Sequence, residues 1–98
     1  MGRYSMRETW VYIVTNTHNT VVYSGSTSNL DERIAQHRDG AGSDFAAKYN
    51  CWKLVWCECF PDFEEAYAFE RKLKRWKREW KDALVEEDNL GWDEIVLN

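Results

Sequence analysis

The chain is short of the residues that interrupt or staple a fold. Its 98 residues include one proline, Pro61, and an odd number of cysteines, Cys51, Cys57 and Cys59. Those cysteines lack the paired spacing of a zinc site. Cys57 and Cys59 lie two apart on a predicted strand, hence on one face, a placement unsuited to a disulfide between them. Buried or half-buried thiols in a reducing compartment are what this usage predicts. No apolar run approaches membrane-spanning length, and the opening MGRYSMRET has neither the apolar stretch nor the cleavage site of a secretory signal. These absences lead us to expect an intracellular (cytoplasmic) protein with no membrane partner. Internal repeats and low-complexity tracts are also missing.

What is there suits one domain, 1–98, long enough for a core of its own without disulfides or structural metal. Six Trp and five Tyr are many for this length, so some are expected in the core and a few on a surface that meets a partner. The net charge of −4 argues mildly against nucleic acid until its distribution is considered. Residues 71 to 81 hold seven Lys or Arg against one Glu, which leaves −10 on the rest of the chain. Because the field a phosphate backbone feels is local at physiological salt, an acidic body with one basic stripe can still bind a polyanion. A solvated helix face accounts equally well for such a run taken alone.

The stretch VYIVTNTHNTVVYSG, residues 11 to 25, reads as a β-hairpin with a tyrosine on each arm. Val11 to Thr15 and Val21 to Tyr23 are β-branched and aromatic, and Asn16, Thr17, His18 and Asn19 have turn-forming side chains. Pairing Thr15 with Thr20 puts Tyr12 opposite Tyr23 on one face, where both hydroxyls can serve one site. A slip of one residue would separate them.

Met1 to Thr9 is a polar lead-in expected to be flexible. After the hairpin, Ser28 with Asp31 resembles a capping box, Leu30 and Ile34 have helical spacing, and Gly40 is a natural stop. The expected helix runs from about Asn29 to Arg38, with Asn29, Arg33 and His37 on one face. A guanidinium and an imidazole one turn apart suit phosphate chemistry, although such pairs are common on exposed helices. A short helix capped by Ser43 and ending at Lys48 follows. WKLVWCECF, residues 52 to 60, alternates imperfectly and is expected as a third strand in the middle of the sheet. From Asp62 onward, Ala66, Phe69, Leu73, Trp76, Trp80 and Ala83 form a helical apolar stripe expected to be core. Glu70 sits at its border, facing a cleft. Periodicity leaves open one long helix or two with a bend near Trp76, and Asn89 is a plausible C-terminal cap.

Taken together, these residues resemble the GIY-YIG nuclease family, in particular its small stand-alone members. VYI at 11–13 and YSG at 23–25 stand where the family has its two tripeptides, and NLDERIAQH matches its arginine and histidine helix. DFAAKYNCWKLVW and FEEAYAFERKLKRW match the lysine-containing helix, third strand and glutamate helix, and NLGW at 89–92 looks like the closing asparagine motif. The resemblance implies an α+β fold, a three-stranded antiparallel sheet flanked by about four helices. Carried over, the site comprises Tyr12, Tyr23, Arg33, His37 and Asn89, with Glu70 holding one divalent ion, Mg²⁺ or Mn²⁺. The implied activity is hydrolysis of DNA phosphodiesters, with Arg33 stabilising the charge that grows in the transition state. Tyr12 or Tyr23 acts as general base, its pKa pulled down from about 10 by metal and cations, with His37 as alternative base or proton shuttle. Asn89 orients groups at the site or caps its helix.

This sequence departs from the family pattern at several positions. Val11 stands in place of the leading glycine, Ser24 in place of a β-branched apolar residue, Ser26 where some members have lysine, and Leu90 in place of proline. None removes a residue on which the proposed chemistry depends.

Lys48, Arg71, Lys74, Lys77 and Arg78 are candidate contacts to nucleic acid. The leading expectation is a metal-dependent endonuclease, in repair or on branched or single-stranded DNA. A non-catalytic nucleic-acid-binding module and a protein-interaction domain are the competing readings. A fold this small leaves room for a homodimer or a partner subunit to supply specificity.

Overall fold

In a computed structural model, the structure describes residues 8–97. Strands β1 (Thr9–Thr15), β2 (Val22–Thr27) and β3 (Lys53–Phe60) form one antiparallel sheet in the order β2-β1-β3. Helices α1 (Leu30–Arg38) and α2 (Asp44–Lys48) lie between β2 and β3 in the chain, and α3 (Phe63–Arg75) and α4 (Arg78–Asp88) follow β3. The architecture is the expected α+β arrangement of three strands and, among the described residues, four helices. The first seven positions of the expected lead-in lie outside the described residues, whereas Thr9 already belongs to β1.

The middle strand is β1, which corrects the expectation for residues 52 to 60. Val11 through Thr15 are all buried, because helices cover both faces of the sheet. The period-two alternation of a strand divides them. Val11 and Ile13 pack with Val55, Trp56, Ala66, Leu73 and Val85 on the α3–α4 side. Tyr12 and Val14 pack with Leu30, Ile34, Ala46 and Leu54 on the α1–α2 side. Strand β3 is an edge, and its outer side is covered by the final segment, where Ile95 N donates to Leu54 O at 2.8 Å. Its imperfect alternation has a local cause. Ile13 pairs with Trp56 but Val14 with Leu54, so Val55 is an extra residue, and it turns to the same side as Trp56.

The hairpin register also differs from expectation. Thr15 pairs with Val22, Tyr12 with Gly25, and Val14 with Tyr23. The turn is longer because the Asn16 side chain accepts from Thr20 N at 2.9 Å and Val21 N at 3.1 Å, which keeps both residues out of the ladder. Asn19 takes the left-handed φ of 59° that this turn requires. The displacement is an even number of residues, so Tyr12 and Tyr23 still share a face, diagonally instead of directly opposed.

Helix α1 is capped by Asn29, whose side chain accepts from Glu32 N at 3.2 Å; the expected Ser28–Asp31 box does not form. Ser43 caps α2 as expected, accepting from Ala46 N at 3.0 Å. The long C-terminal segment is two helices, separated where Trp76 and Lys77 adopt extended ψ values of 148° and 154°. Those two residues reset the helical phase. Core contacts therefore continue through Leu84 and Val85, while Ala83 is exposed and Trp80 is 54% exposed, so the second half of the expected stripe is not core. Among the described residues, no helix is long and apolar enough to cross a membrane.

Candidate active site

Tyr12 is fully buried beneath α1, and its ring lies across Gly25 on the neighbouring strand. A Cβ at position 25 would sit 2.5 Å from Tyr12 Oη and 2.7 Å from Cζ, so this strand position has no room for a side chain. Helix α1 places Arg33 and His37 one turn apart on the face towards the sheet. His37 Nε2 lies 2.9 Å from Tyr12 Oη, and Arg33 Nη1 donates to the same oxygen at 3.5 Å. A second arginine donor, Nε, is held by Gln36 Oε1 at 3.1 Å. Tyr23 meets the edge of the His37 ring with centroids 5.6 Å apart. Four of the residues singled out in the sequence are thus brought together by β1, β2 and α1.

Arginine has no acceptor, so the phenol oxygen of Tyr12 receives from Arg33, and the Tyr12 hydroxyl shares a second hydrogen bond with His37 Nε2 whose direction follows the imidazole tautomer. Nδ1 is buried without a hydrogen-bond partner among the described residues, against the backbone of Gly42, where a Cβ would overlap the ring. Burial is the main cause of both pKa shifts. It pushes the Tyr12 phenol up to about 12, with Arg33 pulling the other way, and it lowers His37 to about 4, with Arg33 adding to the effect. The resting pair is neutral at physiological pH.

Glu70 reaches the same region from α3, around the outer edge of β2. It is 9% exposed, accepts a 2.5 Å hydrogen bond from Ser26 Oγ, and lies 3.7 Å from Lys74 Nζ one helical turn on. Lys74 also donates to Ser24 O at 2.5 Å, and its Nζ sits 4.5 Å from the centre of the Tyr23 ring. The cation beside the second tripeptide therefore comes from α3, while Ser26, which follows Gly25, binds the carboxylate instead. Sequence reasoning gave Lys74 a surface role and Ser26 none. The four-residue spacing of Glu70 and Lys74 was the available signal, but only the packing of α3 on β2 shows where that pair points.

The other singled-out residues lie apart from this cluster. Asn89 caps α4, donates to Val55 O at 3.0 Å and to Asp93 O at 2.9 Å, and accepts from Asp93 N at 3.0 Å. Arg78 donates to Thr20 O at 2.9 Å, Asn19 O at 2.6 Å and Asp82 Oδ1 at 2.6 Å, clamping the hairpin turn to α4. Lys77 is exposed at the joint between α3 and α4. Arg71 is exposed over the Tyr67 ring, and Lys48 is exposed at the end of α2 beside Tyr49.

Glu70 is the carboxylate this site offers a cation, with the Ser26 hydroxyl beside it. Such a set fits a hard divalent ion that keeps several waters and takes further oxygens from a phosphate. Among the described residues, no three of His, Cys, Asp and Glu gather into a metal cluster, so Glu70 is not part of an all-protein cage.

Residues 8–83 match the family model of the GIY-YIG catalytic domain, and the chain belongs to that nuclease family. Among individual proteins, it is 34% identical over 82 residues to the UPF0213 protein of Staphylococcus haemolyticus, covering 84% of this chain and 99% of that one. It is 33% identical over 66 residues to the UPF0213 protein of Bacillus pumilus, covering 67% of each. The solution NMR structure of a UPF0213 protein from Bacillus halodurans superposes with a TM-score of 0.56 at 29% identity, covering 88% of this chain and 90% of that one.

Proposed function

We propose that this protein is a divalent-metal-dependent endonuclease that hydrolyses DNA phosphodiesters, with Tyr12, Tyr23, Arg33, His37 and Glu70 as its working residues. The observation that carries the reading is the hydrogen-bonded line Arg33, Tyr12, His37, set beside Glu70 and Lys74 at one edge of the sheet. A protein that only holds nucleic acid has no use for a buried proton path of this kind.

Burial sets the resting pKa values of Tyr12 and His37 against either one serving as base alone. With Tyr12 near 12 and His37 near 4, moving the phenol proton to the imidazole costs on the order of 10 kcal/mol in the resting site. Charge must be compensated before that proton moves. Glu70, with Ser26 beside it, would hold a divalent ion, Mg²⁺ or Mn²⁺, and such an ion would supply Lewis-acid polarisation and neutralise charge on the phosphate. Tyr12 Oη then takes the proton of the attacking water as its own proton passes to His37 Nε2. Arg33, donating to Tyr12 in the resting site, holds the phenol oxygen in line for this relay and stabilises the charge that grows on the phosphoryl oxygens. Lys74 orients Glu70 and adds positive charge over Tyr23.

The test is cleavage of fluorescent single-stranded, duplex and branched DNA with Mg²⁺ or Mn²⁺, with wild type beside Glu70→Ala and Arg33→Ala. Wild type should cut only with metal, and each variant should lose about a hundredfold or more in rate. If wild type binds DNA and never cuts, the protein is a binding module and this reading is wrong.

A further inference from the structure

Beside the cluster, β2, α2, α3 and α4 border an open pocket of about 320 Å³ lined by Val22, Tyr23, Ser24, Phe45, Lys74 and Lys81. It shares Tyr23 and Lys74 with the candidate active site, but Phe45 and Lys81 have no part in the proton path. We propose that this pocket takes one unpaired nucleotide of the bound strand, its base against Phe45 and its phosphate between Lys74 and Lys81. The inference rests on the nuclease reading for its substrate and adds the strand state that the site prefers.

Three observations converge on a nucleotide. The first is an aromatic row that starts at the active site and runs outward. Tyr23 stacks on Phe45 with centroids 6.1 Å apart and planes at 27°, and Phe45 lies 4.8 Å from Tyr49. Phe45 is 48% exposed and Tyr49 40%, so these rings are not accounted for by the core, and an exposed aromatic row is the kind of surface on which unpaired bases stack. The second is uncompensated positive charge. Lys81 makes no hydrogen bond or ion pair among the described residues, while the nearby carboxylates of Glu70 and Asp82 already face Lys74 and Arg78. Partial burial and the neighbouring charges of Lys74 and Arg78 lower the Lys81 pKa, the signature of cations crowded without an anion. A phosphate is the anion whose chemistry fits two ammonium groups.

The third observation is size. The volume lies at the lower end of ligand pockets, on the scale of a single nucleotide. Bases stacked within a duplex cannot present a free face to Phe45. An end, a flap, a bulge or a single strand can.

The experiment measures binding by fluorescence anisotropy in EDTA, so that nothing is cut, using an oligothymidylate and a long loop-free duplex of two fully complementary strands. Wild type, Phe45→Ala, Phe45→Trp and Lys81→Gln are compared, with thermal melts as a check on folding. Phe45→Ala should lower the ratio of single-strand to duplex affinity about tenfold, and Phe45→Trp should restore it. Lys81→Gln should reduce the single-strand salt slope by about 0.7. A ratio unmoved by Phe45→Ala, or a salt slope unmoved by Lys81→Gln, overturns the pocket. Parallel cleavage assays on wild type separate the two readings. Metal-dependent cutting with an unmoved ratio leaves the nuclease and removes the pocket, whereas a shifted ratio without cutting leaves the pocket and removes the nuclease.

Discussion

Acidification should unfold this protein earlier than its carboxylates alone would, because His37 is buried neutral. Its pKa falls from 6.5 to about 4 on folding, so between those values the unfolded chain binds more protons than the folded one. Stability therefore rises with pH through this window, and the full contribution is present above the unfolded pKa. The linkage integral gives a loss of about 2 kcal/mol at about pH 5 and about 3 kcal/mol at about pH 4, a large share of a small domain's stability. Urea unfolding followed by tryptophan fluorescence, at intervals from neutral pH downward, measures it directly. His37→Gln keeps an amide that can meet the Tyr12 hydroxyl and removes the titration. The carboxylates common to both proteins cancel in the comparison. Wild type should lose about 2 kcal/mol more than the variant between about pH 7 and pH 5. Parallel curves, or a wild type that gains on the variant as pH falls, would show that the imidazole is not held neutral and would remove it as the proton acceptor of the proposed relay.

Three further outcomes follow from the packing. Gly25→Ala puts a methyl against the Tyr12 hydroxyl in a site with no slack, and should cost about 1 to 3 kcal/mol in urea unfolding, with cleavage falling as the ring is displaced; unchanged stability would mean that the ring is not clamped. Asn89→Ala leaves Val55 O and Asp93 O without a donor and should cost about 2 kcal/mol, read as a lower melting temperature. Lys77→Ala and Arg71→Ala each remove an exposed cation, and each should reduce the slope of log binding constant against log salt for duplex DNA by about 0.9 if it meets a phosphate; an unchanged slope moves the binding surface elsewhere.

Much of this fold was legible because its signals are local. Val11 to Thr15, the Asn29 to Arg38 helix, the Ser43 cap and the third strand depend on residue type and period, and all of them form. The fold class followed from the resemblance. The places where the reading failed depend on distant groups or on competition between local ones. The hairpin slipped because one side chain, Asn16, captures two amides that a shorter turn would have placed in the ladder. The cap moved to Asn29 because neighbouring polar residues compete for the same amides. The apolar stripe ended at Trp76 because helical phase persists only while the backbone does, and no proline or glycine marks the break.

The same division holds at the candidate site. The sequence determined by itself that Arg33 and His37 share a face, since a helix turns in about four residues, and it offered a shared face for Tyr12 and Tyr23 that the structure kept because the register moved by an even number of residues. It could not determine that Lys74 folds over Tyr23, that Ser26 holds Glu70, or that Gly25 exists to make room for a tyrosine ring. Those facts join residues up to 51 positions apart, as Tyr23 and Lys74 are. Periodicity says which side of an element a residue occupies, and only the packing of one element on another decides what stands opposite.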